Sequence, residues 1–508
     1  MCLAEALLRV PDAETIDALI EDKIAPSDWG RHLGQSSSSL VNASTWALLL
    51  TGRVLDETGP GMAGALRGAI KRLGEPVIRA AAKQAMREMG QQFVLGETIT
   101  DAMARGSAME AKGYTYSFDM LGEAAMTAGD AALYFSAYEH AIRAAGSLKT
   151  GSVVADKPGV SVKLSALHPR YEVAQRKRVM AELVPRLAQL CRLAASLNIG
   201  LNIDAEEADR LELSLDVIEA ALSDNSLAGW EGFGIVIQAY VLLAGPVIDY
   251  VYALAQRLDL RLMVRLVKGA YWDTEIKRAQ VDGLDRFPVF TSKAATDVSF
   301  IGCARKLLGM TDRIYPQFAT HNAHSVAAIL EMNGDVQSFE FQRLHGMGEQ
   351  LHEITRARHG TRCRIYAPVG AHRDLLAYLV RRLLENGANS SFVNQVVDND
   401  IPPEDVVADP FATLGSARPI ATGREIFLPA RPNSSGWDLT DRGTLAQIDA
   451  ARERFRSHKW ICQPLIGDDA PDGEQIDIIN PADPDDIVGK TVNADASTVA
   501  AAFAVSRV

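Results

Sequence analysis

Residues 200 to 239 read GLNIDAEEADRLELSLDVIEAALSDNSLAGWEGFGIVIQA. The stretch holds two β-rich runs, Gly200 to Asp204 and Gly234 to Ala239, with a helical segment between them. A helical pattern between two such runs is typical of a βαβ unit with parallel strands. Comparable runs occur at Thr115 to Met120, Val160 to Ser165, Arg261 to Val267, Gln317 to His321, Ser338 to Gln342 and Arg364 to Ala367.

Eight runs within roughly 250 residues, each followed by a helical pattern, predict an α/β fold of the (β/α)8 TIM-like barrel type. A doubly wound open sheet is the alternative. Several runs end in a polar residue, namely Asp119, Lys163, Asp204, Gln238, Arg265 and His321. Because the carboxyl ends of barrel strands meet on one face, we expect the chemistry there.

The segments outside the barrel differ in pattern. Residues 1–58 predict an N-terminal helical arm and residues 59–112 a helical subdomain, because apolar residues recur at helical spacing. The barrel is assigned to residues 113–396. Residues 397–448 are rich in Pro, Asp and Gly and predict a linker, and residues 449–508 begin a second, incomplete unit.

Composition narrows the function. The 508 residues carry 52 basic and 64 acidic side chains, a formal net charge of -12. This net negative charge argues against electrostatic, sequence-independent binding of nucleic acid, so no nucleic-acid partner is expected. The five cysteines form no CxxC pair, and no signal peptide or membrane span is recognisable, which predicts a cytoplasmic protein with reduced thiols.

Two pairs of charged residues lie at or just after predicted strand ends. A barrel would bring Lys163 and Asp204 together, either as active-site groups or as a structural ion pair. Arg265 and Lys268 stand beside Tyr271 and Trp272, which suits a phosphate-bearing planar cofactor, although a solvated charge pair beside a core tyrosine would look similar.

A helix through Leu375 to Leu384 would place four polar residues on one side, and this side could simply be solvated. These residues are Tyr378, Arg381, Arg382 and Glu385. Residues Gly59 to Gly64 match GxGxxG but follow a helical run, so no dinucleotide loop is expected. The histidines miss the HExxH spacing, and no metal site is predicted.

Eight sequence blocks together resemble the proline dehydrogenase domain of the bacterial proline utilization A family. The blocks are GYTYSFDMLGEAA (113–125), VSVKLSALHPRY (160–171), NIDAEE (202–207), MVRLVKGAYWD (263–273), FATHNAH (318–324), FQRLHGMGE (341–349), RIYAPVG (364–370) and LAYLVRRLLENGANSSFVNQ (376–395). Residues 1–58 and the following helical subdomain are similar to that family's N-terminal parts. The final stretch, from IINPADPDD onward, looks like the opening of an aldehyde dehydrogenase domain.

The resemblance implies FAD-dependent oxidation of L-proline to Δ1-pyrroline-5-carboxylate, with electrons passed to a quinone. It also implies peripheral contact with the inner face of the membrane and leaves a homo-oligomer possible. Because the aldehyde dehydrogenase-like part stops before a nucleophilic cysteine, the second oxidation is not expected, and the chain reads as truncated at both ends.

The resemblance also implies two sets of site residues. The substrate set comprises Lys163, Asp204, Arg381, Arg382, Tyr378, Tyr366, Leu344 and Glu123. The flavin set comprises Gln238, Arg265, Lys268, Gly269, Ala270, Tyr271, Trp272, Thr291, Lys293, His321, Asn322, Glu385, Ser391 and Phe392. In this scheme the two adjacent arginines hold the substrate carboxylate, and Asp119 with Glu123 could form a gate.

Two other functions are compatible with parts of the sequence. A barrel lyase could use Lys163 or Lys268 to form a Schiff base with its substrate. A scaffold that has lost its chemistry could keep the barrel as a binding surface. Retention of Lys163, Asp204, Arg381 and Arg382 argues against the scaffold.

Overall fold

The computed structural model describes residues 93–148, 151, 153–332, 334–370, 402, 407–415, 419–467 and 473–506. The chain divides into two compact units, Met1–Trp437 and Asp438–Val508.

A closed barrel of eight parallel strands forms the described core of the first unit, with β8 hydrogen-bonded to β1. The strands are β1 (Thr115–Met120), β2 (Gly159–Val162), β3 (Gly200–Ile203), β4 (Phe233–Gln238), β5 (Leu262–Val267), β6 (Ile314–Ala319), β7 (Glu340–Leu344) and β8 (Arg362–Val369). The predicted (β/α)8 barrel is therefore confirmed, and the open sheet is excluded.

Helices precede the barrel and connect its strands. They are α1 (Ile99–Glu110), α2 (Ala128–Gly146), α3 (Leu164–Leu167), α4 (Arg176–Ser196), α5 (Leu211–Leu222), α6 (Ala244–Arg257), α7 (Trp272–Val281), α8 (Lys293–Leu308), α9 (Ala323–Met332) and α10 (Glu349–His359). On α4, Val179, Leu183, Leu187 and Leu190 are fully buried at helical spacing. Burial of each such side chain contributes about 1.5–3 kcal/mol, which holds the helix against its neighbours.

Strands β2 and β6 differ most from the sequence-based expectation. Strand β2 ends at Val162 and α3 begins at Leu164, so Ser165 is helical and Lys163 stands at the junction with an extended backbone. Strand β6 begins at Ile314 and includes Pro316, which pairs with Val264. The run predicted from the sequence is Gln317 to His321. Proline donates no backbone hydrogen bond, yet Pro316 lies within the observed strand.

The inside of the barrel is polar. Strand residues alternate between the two faces of a sheet, so side chains two positions apart share the interior. The charged centre near the amino ends of the strands pairs Glu340 with Arg364, whose Nε donates to Glu340 Oε1 at 2.7 Å. Gln317 and Gln342 donate to the same carboxylate oxygen at 2.9 and 2.8 Å. This network lies inside the barrel near the amino ends of the strands.

The segment 93–96 lies beside the carboxyl end of β8. The amide of Leu95 donates to the carbonyl of Pro368 at 2.9 Å, and the amide of Gly370 donates to the carbonyl of Gly96 at 3.0 Å. These bonds place residues ahead of α1 on the barrel face where the strands end.

The second unit contains α11 (Arg442–Glu453), β9 (Trp460–Cys462), β10 (Gln475–Asn480), β11 (Asp483–Val492) and α12 (Ala496–Val505). Strands β10 and β11 pair antiparallel, and β9 pairs parallel to β11. Helix α11 begins inside the segment 397–448 that the sequence suggested as a linker. No described helix, in either unit, combines the length and the apolarity of a membrane span.

Candidate active site

The ammonium group of Lys163 lies between two carboxylates at the carboxyl ends of the strands. Its Nζ donates to Asp119 Oδ1 at 2.7 Å and to Asp204 Oδ2 at 3.1 Å. The side chains of these three residues are at least nine-tenths buried. The barrel thus brings the predicted pair of Lys163 and Asp204 together, and it adds a second carboxylate.

Asp204 is bound by two further donors. Arg265 Nη1 donates to Asp204 Oδ1 at 2.9 Å, and the Tyr366 hydroxyl donates to Oδ2 at 2.7 Å. The other terminal nitrogen of Arg265 lies 3.1 Å from the hydroxyl oxygens of both Ser117 and Ser161. Strands β1, β2, β3, β5 and β8 are therefore joined by one polar network.

The network shifts the pKa values of the two carboxyl groups in opposite directions. Burial raises the pKa of Asp119, and the repulsion of Asp204 adds to this increase, although Lys163 opposes it. Burial also works to raise the pKa of Asp204, but the cations Lys163 and Arg265 outweigh it, so the pKa is lowered. Burial disfavours the Lys163 ammonium, yet Asp119 and its neighbours hold the pKa of Lys163 well above its ordinary value.

An apolar wall stands beside this charged network. Leu344 and Tyr366 pack against a cluster formed by Phe93, Val94 and Met347. Both residues were carried over from the family as contacts of the proline ring. The wall therefore combines the predicted pair with residues from the segment ahead of α1.

Glu123 lies half-buried in the loop after β1. Ser165 anchors this loop, because the Ala124 amide donates to the Ser165 hydroxyl at 3.0 Å and the Ala125 amide donates to the Ser165 carbonyl at 2.9 Å. Asp119, suggested as the other half of a gate with Glu123, is instead buried against Lys163. A buried, paired carboxylate does not suit a swinging gate.

Two of the predicted cofactor cations, Lys268 and Lys293, cluster around Asp297 on α8. Lys268 contacts one carboxylate oxygen of Asp297, and Lys293 Nζ lies 2.9 Å from the other. Burial lowers the pKa of Lys268 despite this carboxylate. Two ammonium groups share one carboxylate, so the cluster keeps a positive charge that suits a phosphate group.

The loop after β5 carries further residues of the predicted cofactor set. The Ala270 amide lies 3.4 Å from Gln238 Oε1, and the indole nitrogen of Trp272 donates to the Phe290 carbonyl at 2.9 Å. Gly269 has a φ of 142° and lies against the ring of Tyr240, so no larger side chain fits there. Tyr271 is half-buried at the start of α7.

The remaining described members lie in two places. His321 and Asn322 follow β6, and Thr291 and Lys293 lie at the start of α8. The Leu344 amide donates to His321 Nε2 at 3.1 Å, so the ring of His321 touches the apolar wall. Asn322 Oδ1 accepts from the Ser325 amide at 3.0 Å at the start of α9. Thr291 and Lys293 flank Ser292, whose hydroxyl caps α8. The last six predicted residues lie outside the described part of the chain: Tyr378, Arg381, Arg382, Glu385, Ser391 and Phe392.

Sequence reasoning missed several contributors. Ser117 and Ser161 support Arg265, and the Tyr138 hydroxyl on α2 accepts from the Lys163 amide at 3.1 Å. Period-two alternation could have found the serines, since each stands two positions before a polar strand end. No local pattern pointed to Tyr138 or to the segment at Phe93.

A parallel barrel with a buried charged network at its strand ends is an enzyme architecture. Residues 102–395 match the family model described as proline dehydrogenase, and residues 1–93 match one described as the DNA-binding domain of proline dehydrogenase. The chain belongs to the proline dehydrogenase family.

Curated relatives agree with this assignment. The bifunctional protein PutA of Klebsiella aerogenes is 51% identical over 96% of this chain, which covers 39% of that protein. Proline dehydrogenase 1 of Bacillus subtilis is 28% identical over 60% of this chain and 88% of its own length. The chain thus spans well under half the length of the PutA relative.

Solved structures show the same fold. A crystal structure of proline utilization A from Bradyrhizobium japonicum is 53% identical, with a TM-score of 0.70 over 89% of this chain and 46% of that one. The structure from Bdellovibrio bacteriovorus inactivated by N-propargylglycine is 26% identical, with a TM-score of 0.77 over 96% of this chain and 54% of that one.

The second family match conflicts with the expectation that no nucleic acid is bound. That expectation rested on the net charge of the whole chain, which does not report how charge is distributed within the first 93 residues. The charge argument therefore does not exclude DNA binding by this part of the chain, which lies almost entirely outside the described residues.

Proposed function

We propose that this chain oxidises L-proline to Δ1-pyrroline-5-carboxylate with FAD as its cofactor. The observation that carries the proposal is the buried network in which Lys163 and Arg265 meet at Asp204 beside an apolar wall. Family membership supplies the substrate class, and the network supplies the charges that such a reaction requires at one end of a barrel.

Substrate binding needs an anion site and an apolar surface. In the proposal, Arg381 and Arg382 hold the carboxylate, because two guanidinium groups can each make paired hydrogen bonds to it. Leu344 and the ring of Tyr366 line the aliphatic ring, and Tyr378 closes it from the helix predicted at Leu375 to Leu384. Tyr378 would also favour proline over a hydroxylated ring, since the family resemblance implies a smaller residue at this position in enzymes that accept a ring hydroxyl.

The described residues fit a flavin dinucleotide. Lys268 and Lys293 exceed the charge of Asp297 and would hold phosphate, while Gly269 gives the backbone a close approach that a Cβ would block. Arg265 keeps a buried Nε with no partner among the described residues, so one donor remains for a ligand. The other described members, from Gln238 to Asn322, would surround the group, with Glu385, Ser391 and Phe392 contributing from outside the described part.

Bound FAD would supply the two-electron acceptor for the hydride that leaves the ring carbon next to the nitrogen. Lys163 would place a fixed positive charge beside the reacting atoms, because two carboxylates hold its position and its ionisation. The burial of Lys163, Asp119 and Asp204 excludes water from the same region. Glu123 would pair with a substrate-binding arginine when the site is filled.

A Schiff-base mechanism fits Lys163 poorly. A nucleophilic lysine needs a neutral amine, whereas the paired carboxylates hold the pKa of Lys163 well above its ordinary value. Lys268 has a lowered pKa but is bound to Asp297 in the predicted phosphate cluster. Sodium borohydride should therefore trap no covalent adduct between either lysine and a carbonyl substrate.

Further partners belong to the same proposal. A membrane quinone would take the electrons, through peripheral contact with the inner face of the membrane by a cytoplasmic protein. A homo-oligomer and an aldehyde dehydrogenase-like start in residues 449–508 are proposed from the family resemblance alone.

An anaerobic absorption spectrum tests the central claim. The purified protein should show an oxidised flavin band that bleaches on addition of L-proline. Lys268→Met should weaken FAD binding about tenfold through loss of one charge-assisted contact, whereas Lys277→Met, at an exposed position on α7, should not. A flavin band that persists with L-proline would overturn the substrate, and a folded protein that cannot bind FAD would overturn the cofactor.

A further inference from the structure

Asp119 differs from Asp204 in its burial and in the donors that bind it. Only 1% of its side chain is exposed, and its Oδ1 accepts the shorter of the two hydrogen bonds that Lys163 makes to carboxylates. Asp204 is shared by Lys163, Arg265 and Tyr366. The two carboxylates that flank Lys163 are therefore unequal, since Asp204 is stabilised by three donors and two of these are cations.

The proposed reaction requires a base that removes a proton from the substrate nitrogen. A secondary ammonium group cannot lose a hydride from its neighbouring carbon, because the nitrogen lone pair must form the new C=N bond. Proline is an ammonium ion near neutral pH, so a proton has to leave the nitrogen first. A general base for this proton has to lie within hydrogen-bond reach, directly or through one relay group.

We propose that Asp119 is the terminal acceptor of this proton and that Lys163 relays it. The inference rests on the proposed oxidation of proline. The Nζ–H bond that points at Asp119 breaks first and an O–H bond forms on Asp119 Oδ1, which leaves a lone pair on Lys163 Nζ. The N–H bond of the substrate then breaks as a new N–H bond forms at this lone pair. The substrate nitrogen regains its own lone pair, Lys163 is an ammonium ion again, and Asp119 is neutral.

The surroundings of Asp119 favour this division of roles. Lys163 just after β2, Asp204 just after β3 and Tyr366 on β8 face it, and Tyr138 on α2 lies behind Lys163. Burial and the charge of Asp204 raise the pKa of Asp119, whereas Lys163 and Arg265 lower that of Asp204. Two neighbouring carboxyl groups whose pKa values are pushed apart are typical of a divided acid–base assignment.

The test is the pH profile of Asp119→Asn in the flavin-loaded protein. At neutral pH, kcat/KM for L-proline should fall about a hundredfold, the size of a lost general base. The deficit should shrink about tenfold for each unit of rising pH, because the free-amine fraction of proline grows by that factor. A deficit that is constant with pH, or no deficit at all, would overturn the proposal.

Glu275→Gln is the matched control. Glu275 is also a buried carboxylate with a raised pKa, of about 7, but it accepts from the Ala208 amide and lies outside the Lys163 network. It should leave the shape of the pH profile unchanged. A Glu275→Gln protein that reproduces the Asp119→Asn profile would contradict the assignment to Asp119.

Binding of tetrahydrofuran-2-carboxylate, followed by the flavin absorbance, gives a readout without turnover. This ring-oxygen analogue brings no ammonium proton, so its Kd should stay within about twofold in Asp119→Asn. Should that variant fail to bind flavin, Asp119→Glu decides, because a retained carboxylate should keep the wild-type pH dependence. A wild-type protein that binds flavin but is not reduced by proline would instead overturn the proposed function.

Discussion

The hydroxyl of Tyr366 lies 2.7 Å from Oδ2 of Asp204, although 162 positions separate the two residues in the chain. The pairing exists because β8 closes the barrel against β1 and carries Tyr366 into the interior. Asp204 thereby gains a neutral donor beside its two cationic ones. The ring of Tyr366 meanwhile stays in the apolar wall with Leu344.

Tyr366→Phe separates these two roles. The variant keeps the ring and removes one donor from Asp204, so we expect kcat for proline to fall about tenfold, equivalent to about 1.4 kcal/mol, with a smaller change in KM. Tyr252→Phe is the control, because the Tyr252 hydroxyl also donates to a carboxylate, Asp312, but on the outside of the barrel. Steady-state kinetics of both variants check the expectation, and equal losses would contradict it.

Phe93 should influence substrate choice. It packs with Val94 and Met347 against Leu344, so Phe93→Ala would open a cavity behind the wall that is proposed to face the proline ring. We expect a higher KM for proline and a higher ratio of hydroxyproline to proline turnover.

Phe233→Ala provides the comparison for Phe93→Ala. It also removes a buried ring, near the amino end of β4, where Phe233 packs on Trp230. Both variants should lose about 3–5 kcal/mol of folding free energy. If Phe233→Ala alters the substrate ratio as much as Phe93→Ala does, the effect reports general loosening of the barrel and the role of Phe93 is refuted.

The Glu340–Arg364 pair should matter for stability. Arg364→Met leaves the Glu340 carboxylate buried without its cation, at a cost of about 3–5 kcal/mol. The double variant Arg364→Met with Glu340→Gln removes the stranded charge as well and should regain part of the loss. Urea unfolding followed by circular dichroism measures both values. A double variant less stable than Arg364→Met alone would count against this reading.

His352 should make stability depend on pH. It is fully buried, its Nε2 donates to the Thr320 carbonyl at 2.9 Å, and burial lowers its pKa from 6.5 to about 4. The unfolded chain therefore binds more protons between these values, so the free energy of unfolding should fall as pH falls from 6.5 towards 4. The loss from this group amounts to at most about 3 kcal/mol.

His352→Gln removes this titration while keeping a donor in reach of Thr320. The slope of unfolding free energy against pH between 6.5 and 4 should flatten, whereas His140→Gln, at an exposed position on α2, should leave it unchanged. Urea unfolding at a series of pH values checks the slope. Equal slopes in wild type and His352→Gln would disprove the assignment.

Much of the barrel could be predicted from local pattern. Every strand has a short β-rich run between helical segments, and the polar residues at the ends of these runs, such as Lys163, Asp204 and Arg265, lie on the face where the site forms. This success has a physical cause: strand and helix periodicity are local properties, and the direction of a parallel strand fixes which of its ends faces the site.

The partners of those residues were decided by tertiary structure. Lys163 meets Asp119 across 44 positions, and Arg265 reaches Ser117 across 148, because closure of the barrel sets which interior side chains share a level. The pKa order of Asp119 and Asp204 follows from burial and from unequal sharing of two cations, which no local sequence pattern encodes. The sequence by itself determined the barrel and the chemistry available at its rim, whereas the tertiary structure decided which carboxylate holds which cation and brought Phe93 to the wall.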